Sequence, residues 1–137
     1  MDRPGRSGDR LFGSAYDRGM SGQSSHSSTY LRFLNLVQGV RALPDFPNLD
    51  PVEERLLNLF AAVWHSGQKI TVLQAMGMST DVSSTTAHRR LKSLRKKGVI
   101  TLVADESDNR VKYVQPTSVA NQYFSQLGQC LDQARSS

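Results

Sequence analysis

The sequence predicts a mainly α-helical protein with one small β-hairpin, a fold of the α+β class. Apolar residues recur at helical spacing along most of the chain after residue 28. Strand-like alternation of apolar and polar residues is confined to the two sides of a polar turn at residues 105–110. The positive charge is also localised: residues 68–98 contain seven Lys and Arg against one Asp, a net +6, while the whole chain has a net charge of +5. A basic charge concentrated on one segment is typical of proteins that bind nucleic acid.

The first 28 residues predict a disordered tail. They contain five Gly and seven Ser and few apolar side chains, so they bury too little surface to offset the entropy lost on ordering. The tail lacks the apolar stretch of a secretory signal, and the longest apolar run, residues 59–64, is too short to span a bilayer. With Cys130 as the one cysteine, no internal disulfide can form, which fits a reducing compartment. The sequence thus predicts a cytoplasmic protein with no membrane association.

Two helices are predicted next. Residues 29–43 carry apolar side chains on more of the helix surface than packing against one small domain requires, and a proline ends the run. Asp50, Pro51 and Glu53 form a strong helix start, because they supply a capping carboxylate, a proline at the first position and an acid near the positive end of the helix dipole. This second helix continues at helical spacing until Gly67.

Two more helices are predicted after a brief extended segment at residues 68–70. Thr71 is expected to cap a helix over 72–79, and Ser83 is expected to cap a helix over 84–97. The apolar side chains predicted to face inward are Val72, Leu73 and Met76 in the first of these helices and Ala87, Leu91 and Leu94 in the second.

A hairpin and a last helix complete the prediction. Gly98 suits the left-handed position just past a helix end. Strands begin near Ile100 and Val111 on either side of the polar turn, and a final helix covers 117–134. This order of elements is that of a winged helix-turn-helix flanked by N- and C-terminal helices. We expect one domain over 29–137, in which surplus apolar residues on the terminal helices form the interface of a homodimer.

Three stretches resemble the MarR-like winged-helix transcriptional regulators. The first, Leu91-x-x-Leu94-Arg95-Lys96-Lys97-Gly98-Val99-Ile100, resembles the family's recognition helix and its exit into the wing. The second, Asp108-Asn109-Arg110 followed six residues later by Pro116-Thr117, fits the family's D-x-R…L-T spacing with proline in place of leucine. The third, Val82-Ser83, is similar to the Leu-Ser that caps the recognition helix. The resemblance covers about residues 50–117 and implies a DNA-binding regulator.

The charge pattern and the resemblance together predict a DNA-binding surface. A recognition helix, here about 84–97, enters the major groove with its N-terminal half, and the six cations of residues 89–97 meet no acid. The last two lysines of that run are predicted to compensate the helix dipole. The wing, residues 104–112, is predicted to lie at the minor groove, where the resemblance implies that Asp108 orients Arg110. The predicted DNA-binding residues are Ser84, Thr85, Thr86, His88, Arg89, Arg90, Lys92, Arg110 and Lys112.

The sequence contains no pattern that indicates catalysis or metal binding. Asp105, Glu106 and Asp108 lie on one polar turn without an apolar pocket that would raise a carboxyl pKa. No glycine-rich phosphate loop, nucleophile motif or zinc spacing occurs, and His88 has no second ligand at metal-binding spacing. We therefore expect no enzymatic activity, no metal and no cofactor, and no residue pattern supports a small-molecule effector.

The sequence thus predicts a sequence-specific transcriptional regulator that binds double-stranded DNA as a homodimer. Two alternatives stay open. A winged helix can be a protein–protein interaction module, although such a module has no need for the unbalanced cations of residues 89–97. The same fold can also belong to a replication or plasmid-maintenance factor, which the sequence does not separate from a transcriptional regulator.

Overall fold

The computed structural model describes residues 20–136, with side chains from residue 25 onward. These residues lie in two compact units, Arg41–Gln126 and a smaller unit that contains residues 20–40 and 127–136. The predicted class, mainly α with a small β-hairpin, is confirmed. In chain order the elements are α1 (Met20–Arg41), α2 (Pro51–His65), β1 (Ile70–Thr71), α3 (Val72–Gly77), α4 (Ser84–Lys96), β2 (Ile100–Ala104), β3 (Lys112–Pro116) and α5 (Ser118–Ser136).

Side-chain caps begin three of the helices at the predicted residues. Asp50 accepts a hydrogen bond from the Glu53 amide at 2.8 Å, and the Glu53 carboxylate accepts one from the Asp50 amide at 2.8 Å, which starts α2 with a reciprocal capping box. Thr71 and Gln74 form the same box at the start of α3. Ser83 caps α4 by accepting from a backbone amide of the first turn. The first residue of each of these three helices is therefore determined by side chains within one helical turn of it.

The predicted hairpin is present and belongs to a three-stranded antiparallel sheet. Leu102 of β2 lies opposite Val114 of β3, and Ile70 of β1 lies opposite Val114 on the other side, so that β3 is the central strand. The sequence predicts the extended segment at 68–70 but not this pairing, because two residues are too few to show alternation. Trp64 at the end of α2 donates from Nε1 to the Val114 carbonyl at 3.0 Å and thereby attaches α2 to the sheet.

The core of the Arg41–Gln126 unit is closed by α2, α4 and the sheet. Helix α4 buries all three of its predicted inward residues, Ala87, Leu91 and Leu94. The other large apolar side chains that are fully buried in this unit are Leu56, Leu57, Phe60, Ile70, Val99, Ile100 and Val114. Burial of this apolar stripe leaves the polar sides of α4 to face solvent or to contact other elements.

The inward prediction for α3 is wrong at Leu73, whose residue surface is 77% exposed. The buried residue of this six-residue helix is Ala75, while Val72 and Met76 are half-buried. Residues two apart on an α-helix point about 200° away from each other. Burial of Ala75 therefore turns Leu73 toward solvent.

Helix α1 (Met20–Arg41) already includes the nine residues before its predicted start at Thr29. The prediction of a disordered tail is thus wrong for residues 20–28, and residues 1–19 lie outside the described part of the chain. No proline stands between Met20 and Thr29, so the helix propagates upstream once the apolar segment has nucleated it. The Thr29 hydroxyl supports this extension by donating to the Ser25 carbonyl at 3.1 Å.

The end of α4 is joined to the start of α5 by one threonine. Gly98 has a φ of +80°, the left-handed conformation predicted for it. Thr117 Oγ1 lies 2.7 Å from the Gly98 carbonyl and 3.0 Å from the Val99 carbonyl. Both carbonyls lie in the segment between α4 and β2, so one hydroxyl group connects that segment to the start of α5.

The smaller unit combines α1 with the last part of α5. Arg32 donates from Nε and Nη2 to the Ala134 carbonyl at 3.2 Å and 2.7 Å, which places a cation at the negative end of α5. Several large apolar side chains of this unit are exposed, namely Tyr30, Leu31, Leu34 and Leu131. Across residues 20–136, no helix is long and apolar enough to cross a membrane.

Candidate nucleic-acid interface

Helix α4 has three faces with different chemistry. One is the apolar stripe that closes the core. The opposite, outer face is exposed, and a third face lies against the start of α2. Residues three and four apart share a helix face, which explains the membership of each set. The outer face consists of Thr85, Arg89, Lys92 and Lys96, and the face toward α2 consists of Arg90, Ser93 and Lys97.

Five of the predicted DNA-binding residues lie on the outer face of α4 or beside it, within the first nine residues of the helix. They are Ser84, Thr85, His88, Arg89 and Lys92, and all five are exposed. Within residues 25–136, none of these side chains forms a hydrogen bond or ion pair. The guanidinium of Arg89 and the ammonium of Lys92 are therefore available to an external anion such as a phosphate.

Thr86, also predicted to bind DNA, belongs to the helix cap. Its residue surface is half-buried, and its Oγ1 accepts a hydrogen bond from Ser83 Oγ at 3.1 Å. The Thr86 amide donates back to the same Ser83 oxygen at 3.1 Å. The structure therefore places Thr86 with the start of α4 and not on the outer face.

Arg90 likewise turns away from the outer face. Its Nη1 lies 3.2 Å from Asp50 Oδ2 at the start of α2. Further along the same face of α4, Ser93 Oγ donates to Glu53 Oε2 at 2.5 Å, and Lys97 Nζ lies 2.7 Å from Glu53 Oε1. We call these five residues, Asp50, Glu53, Arg90, Ser93 and Lys97, the ion-pair cluster. Two of the six cations in residues 89–97 are thus paired with acids at the start of α2.

Glu53 is the buried member of the ion-pair cluster, with only 1% of its surface exposed. Burial by itself raises a carboxyl pKa, because it disfavours the charged form. Hydrogen bonds from Lys97, Ser93 and the Asp50 amide outweigh that effect, so the pKa of Glu53 lies below its ordinary value. The carboxylate is therefore held ionised in the interior by its partners.

Sequence reasoning missed this cluster, although a signal for it exists. Arg90, Ser93 and Lys97 are spaced three and four residues apart, so they form a polar stripe beside the apolar one. In the sequence, Glu53 is interpreted only as a capping residue, because its three-residue spacing from Asp50 is that of a capping box. Only the packing of α4 on α2 shows that the two patterns meet.

The wing carries the predicted Arg110, and its side chain is 90% exposed. Asp108 holds the guanidinium in a two-point contact, with Nε to Oδ1 at 3.0 Å and Nη2 to Oδ2 at 3.2 Å. The Arg110 amide also donates to Asp108 Oδ1 at 3.1 Å. Lys112, also predicted to bind DNA, is exposed and donates to the Asn109 carbonyl at 2.9 Å. Asp108 and Arg110 are thus paired at the tip of the wing.

A second carboxylate, Asp105, organises the wing turn, which sequence reasoning did not assign to it. Its Oδ2 accepts from Ser107 Oγ at 2.7 Å, from the Ser107 amide at 3.0 Å and from the Asp108 amide at 3.1 Å. Its Oδ1 accepts from the Tyr113 hydroxyl at 2.8 Å. The hydrogen bonds from Ser107 and then Tyr113 lower the pKa of Asp105 to about 2.

Comparison with known proteins gives matches among solved structures. No protein-family model and no curated protein matches the chain. YusO from Bacillus subtilis superposes with a TM-score of 0.54 and 17% identity, covering 95% of this chain and 82% of that chain. The heme sensor protein PefR from Streptococcus agalactiae, in complex with heme and carbon monoxide, superposes with a TM-score of 0.50 and 18% identity, covering 85% and 75%.

The chain shares the winged helix-turn-helix fold with these two structures. In this winged helix-turn-helix, α3 and α4 are the two helices of the helix-turn-helix, and residues 105–111 form the tip of the wing between β2 and β3. The part of the chain with described side chains holds no group of three or more His, Cys, Asp or Glu that could bind a metal ion. The chemistry of this surface is therefore that of exposed cations and small hydroxyl groups.

Proposed function

We propose that this protein is a sequence-specific transcriptional regulator that binds double-stranded DNA. The observation that carries the proposal is the outer face of α4, where Arg89 and Lys92 are exposed and have no partner among residues 25–136. In a winged helix-turn-helix this helix is the one that enters the major groove. A helix with unpaired cations on its outer face matches the phosphate backbone in charge and the major groove in shape.

The N-terminal half of α4 supplies the base-reading groups in this proposal. Ser84, Thr85 and His88 can donate to or accept from base edges, and Arg89 can bind guanine through two hydrogen bonds. Lys92, one turn further, is placed to contact a phosphate. Specificity therefore comes from the first two turns of α4, while its later cation Lys96 contributes sequence-independent attraction.

The wing supplies a second contact, at the minor groove. Arg110 is held by Asp108 with its guanidinium exposed, so the ordering of the side chain occurs before DNA arrives. A narrow minor groove has an enhanced negative potential that attracts such a group. Lys112 at the base of the turn adds a phosphate contact.

The protein acts as a homodimer in this proposal. Tyr30, Leu31, Leu34 and Leu131 are exposed apolar side chains of the smaller unit, and a second copy that covers them removes this apolar area from water. A twofold axis then presents two α4 helices to successive turns of a pseudo-palindromic site, about one helical repeat apart.

A binding titration tests the proposal. The protein is titrated against a random-sequence duplex library and sheared genomic DNA across a salt series, and the bound fraction is sequenced. We expect steep loss of affinity with salt and recovery of a pseudo-palindromic sequence. Arg89→Ala is expected to abolish enrichment, whereas Arg55→Ala, which removes an exposed cation of α2, leaves it unchanged. If neither DNA binds at low salt, the protein is an interaction module and the proposal is wrong.

A further inference from the structure

The face of α4 that meets α2 carries charge where the fold needs none. Arg90, Ser93 and Lys97 all contact the start of α2, and their partners Asp50 and Glu53 already satisfy each other as a capping box. The buried apolar stripe of α4 closes the core without them. The contacts from α4 to Asp50 and Glu53 are thus additional to the capping box of α2 and to the apolar core.

We propose that Glu53 is a positioning residue that sets the rotation of α4 about its own axis, and so aims the outer face at DNA. This inference rests on the proposed function. It identifies the contacts that hold the DNA-binding face of α4 in its orientation. Glu53 itself does not contact DNA in this proposal; it acts through Ser93 and Lys97.

The geometry of the Glu53 carboxylate supports this role. Each oxygen is bound to α4 by a different residue, Oε2 by Ser93 at 2.5 Å and Oε1 by Lys97 at 2.7 Å. The two contacts are one turn apart on α4, and Lys97 also donates to the Asn48 carbonyl at 2.8 Å. The ion pair between Arg90 and Asp50 adds a third contact between the helices, one turn before Ser93 along α4. The contacts thus extend over about 10 Å of helix, given a rise of about 1.5 Å per residue.

Directional contacts are needed because apolar packing alone does not set rotation sharply. Hydrophobic burial is non-directional, so the stripe of α4 tolerates small rotations at low cost. The buried carboxylate of Glu53 resists such rotations. A rotation that breaks one of its hydrogen bonds leaves a charge in the interior with too few donors. Arg89 and Lys92 move with α4 when the helix rotates. The direction in which their side chains point is therefore set by the contacts of Glu53 with α4.

Replacing Glu53 tests the proposal. Glu53→Gln keeps the side-chain shape and removes the charge, and Glu54→Gln is the matched control, because Glu54 pairs with Arg41 at 3.2 Å and not with α4. Binding to the selected site and to random DNA is measured at a temperature where circular dichroism shows both variants folded. We expect Glu53→Gln to lower the ratio of specific to random-DNA affinity about tenfold while the salt slope stays unchanged.

An effect on stability alone gives a different result. In that case Glu53→Gln lowers the unfolding temperature but leaves the specificity ratio of the folded protein at the wild-type value, and the positioning role is refuted. If Glu53→Gln does not fold, the double variant Glu53→Leu with Lys97→Met replaces the pair by apolar groups, a change that often preserves stability. The folded double variant is then expected to show the same loss of specificity, and a wild-type ratio overturns the proposal.

A DNA-independent measurement separates this inference from the proposed function. In amide NMR spectra of the full chain, Glu53→Gln is expected to shift resonances of the outer face from Thr85 to Lys92, although these residues do not contact position 53. Glu54→Gln is expected to leave them in place. Shifts confined to the partners of Glu53 exclude a rotation of α4, whether or not the wild type binds DNA.

Discussion

Arg90 of the basic helix is paired with Asp50 at the start of α2, with Nη1 of the guanidinium 3.2 Å from Oδ2 of the carboxylate. The adjacent Arg89 has no such partner within residues 25–136 and is exposed. Two neighbouring arginines, equivalent in the sequence, thus have different environments. The charge of the basic helix is therefore not a uniform surface, and its effect on DNA binding depends on which face each cation occupies.

The salt dependence of DNA binding is expected to separate these two arginines. Arg89→Ala should reduce the slope of log K against log salt by up to about one, because a cation that lies in the groove between the phosphate backbones is lost together with its base contact. Arg90→Ala should leave the slope within error, since this guanidinium faces α2. Fluorescence anisotropy at four or more salt concentrations measures both. Equal reductions in slope for the two variants would contradict the assignment of faces.

Removal of Arg110 is expected to weaken binding at one groove only. Arg110→Ala should lower affinity for the selected site by about tenfold and relax preference for A·T-rich positions flanking the half-sites. Asp108→Ala should cost less affinity and should raise binding to random DNA, because it frees Arg110 and removes an acid near the phosphates. A selection repeated with each variant reports both effects. Unchanged flanking preference in Arg110→Ala would exclude the minor-groove contact.

Acid is expected to weaken the wing through Asp105. The pKa of this carboxyl is about 2 in the folded protein and about 4 in an unfolded chain. Because the folded value is the lower one, the stabilisation is complete above about pH 4 and disappears as the pH falls toward about 2. Asp105→Asn removes the titrating group, so the stability difference from wild type should shrink over that window. Urea unfolding at pH 6, 4 and 3 provides the measurement, and a difference independent of pH would disprove the assignment.

A charge on the exposed apolar face of the smaller unit is expected to disrupt the homodimer. Leu31→Glu places a carboxylate on a side chain that a second copy should cover, so we expect a monomer by light scattering at micromolar concentration. Leu73→Glu is the control, since Leu73 is even more exposed but belongs to the other unit. A monomeric wild type, or a Leu31→Glu variant that stays dimeric, would rule out this interface.

Two glycines are expected to respond in opposite ways to alanine. Gly98 has a φ of +80°, so Gly98→Ala should destabilise the fold by about 1 kcal/mol or more. Gly128 lies inside α5 with open space where a Cβ would be, so Gly128→Ala should stabilise by about 0.5–1 kcal/mol. Thermal and urea unfolding of the two variants measure the difference. The same sign of change for both would show that backbone conformation does not control these positions.

The sequence predicts the features that are decided within one helical turn. The caps at Asp50, Thr71 and Ser83 are correct, because a capping side chain and its amide are only two or three residues apart. The left-handed position of Gly98 is correct for the same reason. The pairing of Asp108 with Arg110 is also local, and the family spacing points to it.

Features decided by packing are the ones that the sequence does not predict. Leu73 has the apolar character of a core residue, but the short helix α3 buries Ala75 in its place. Arg90 and Arg89 differ only in which side of α4 faces α2, and that depends on the tertiary arrangement. The part of α1 before Thr29 is not indicated by the sequence, because most of its residues are Ser, Gly or Gln and form no apolar stripe.

The Glu53 capping box also has a consequence for the order of folding. The contacts between Asp50 and Glu53 span three residues, whereas those from Glu53 to Ser93 and Lys97 span 40 and 44 residues. Local contacts form first, because the loop they close costs little entropy. The Glu53 carboxylate is therefore already oriented before α4 packs against α2. Formation of the long-range contacts then needs to order only the side chains of Ser93 and Lys97. We expect substitutions in the box to slow refolding, and substitutions at Lys97 mainly to speed unfolding.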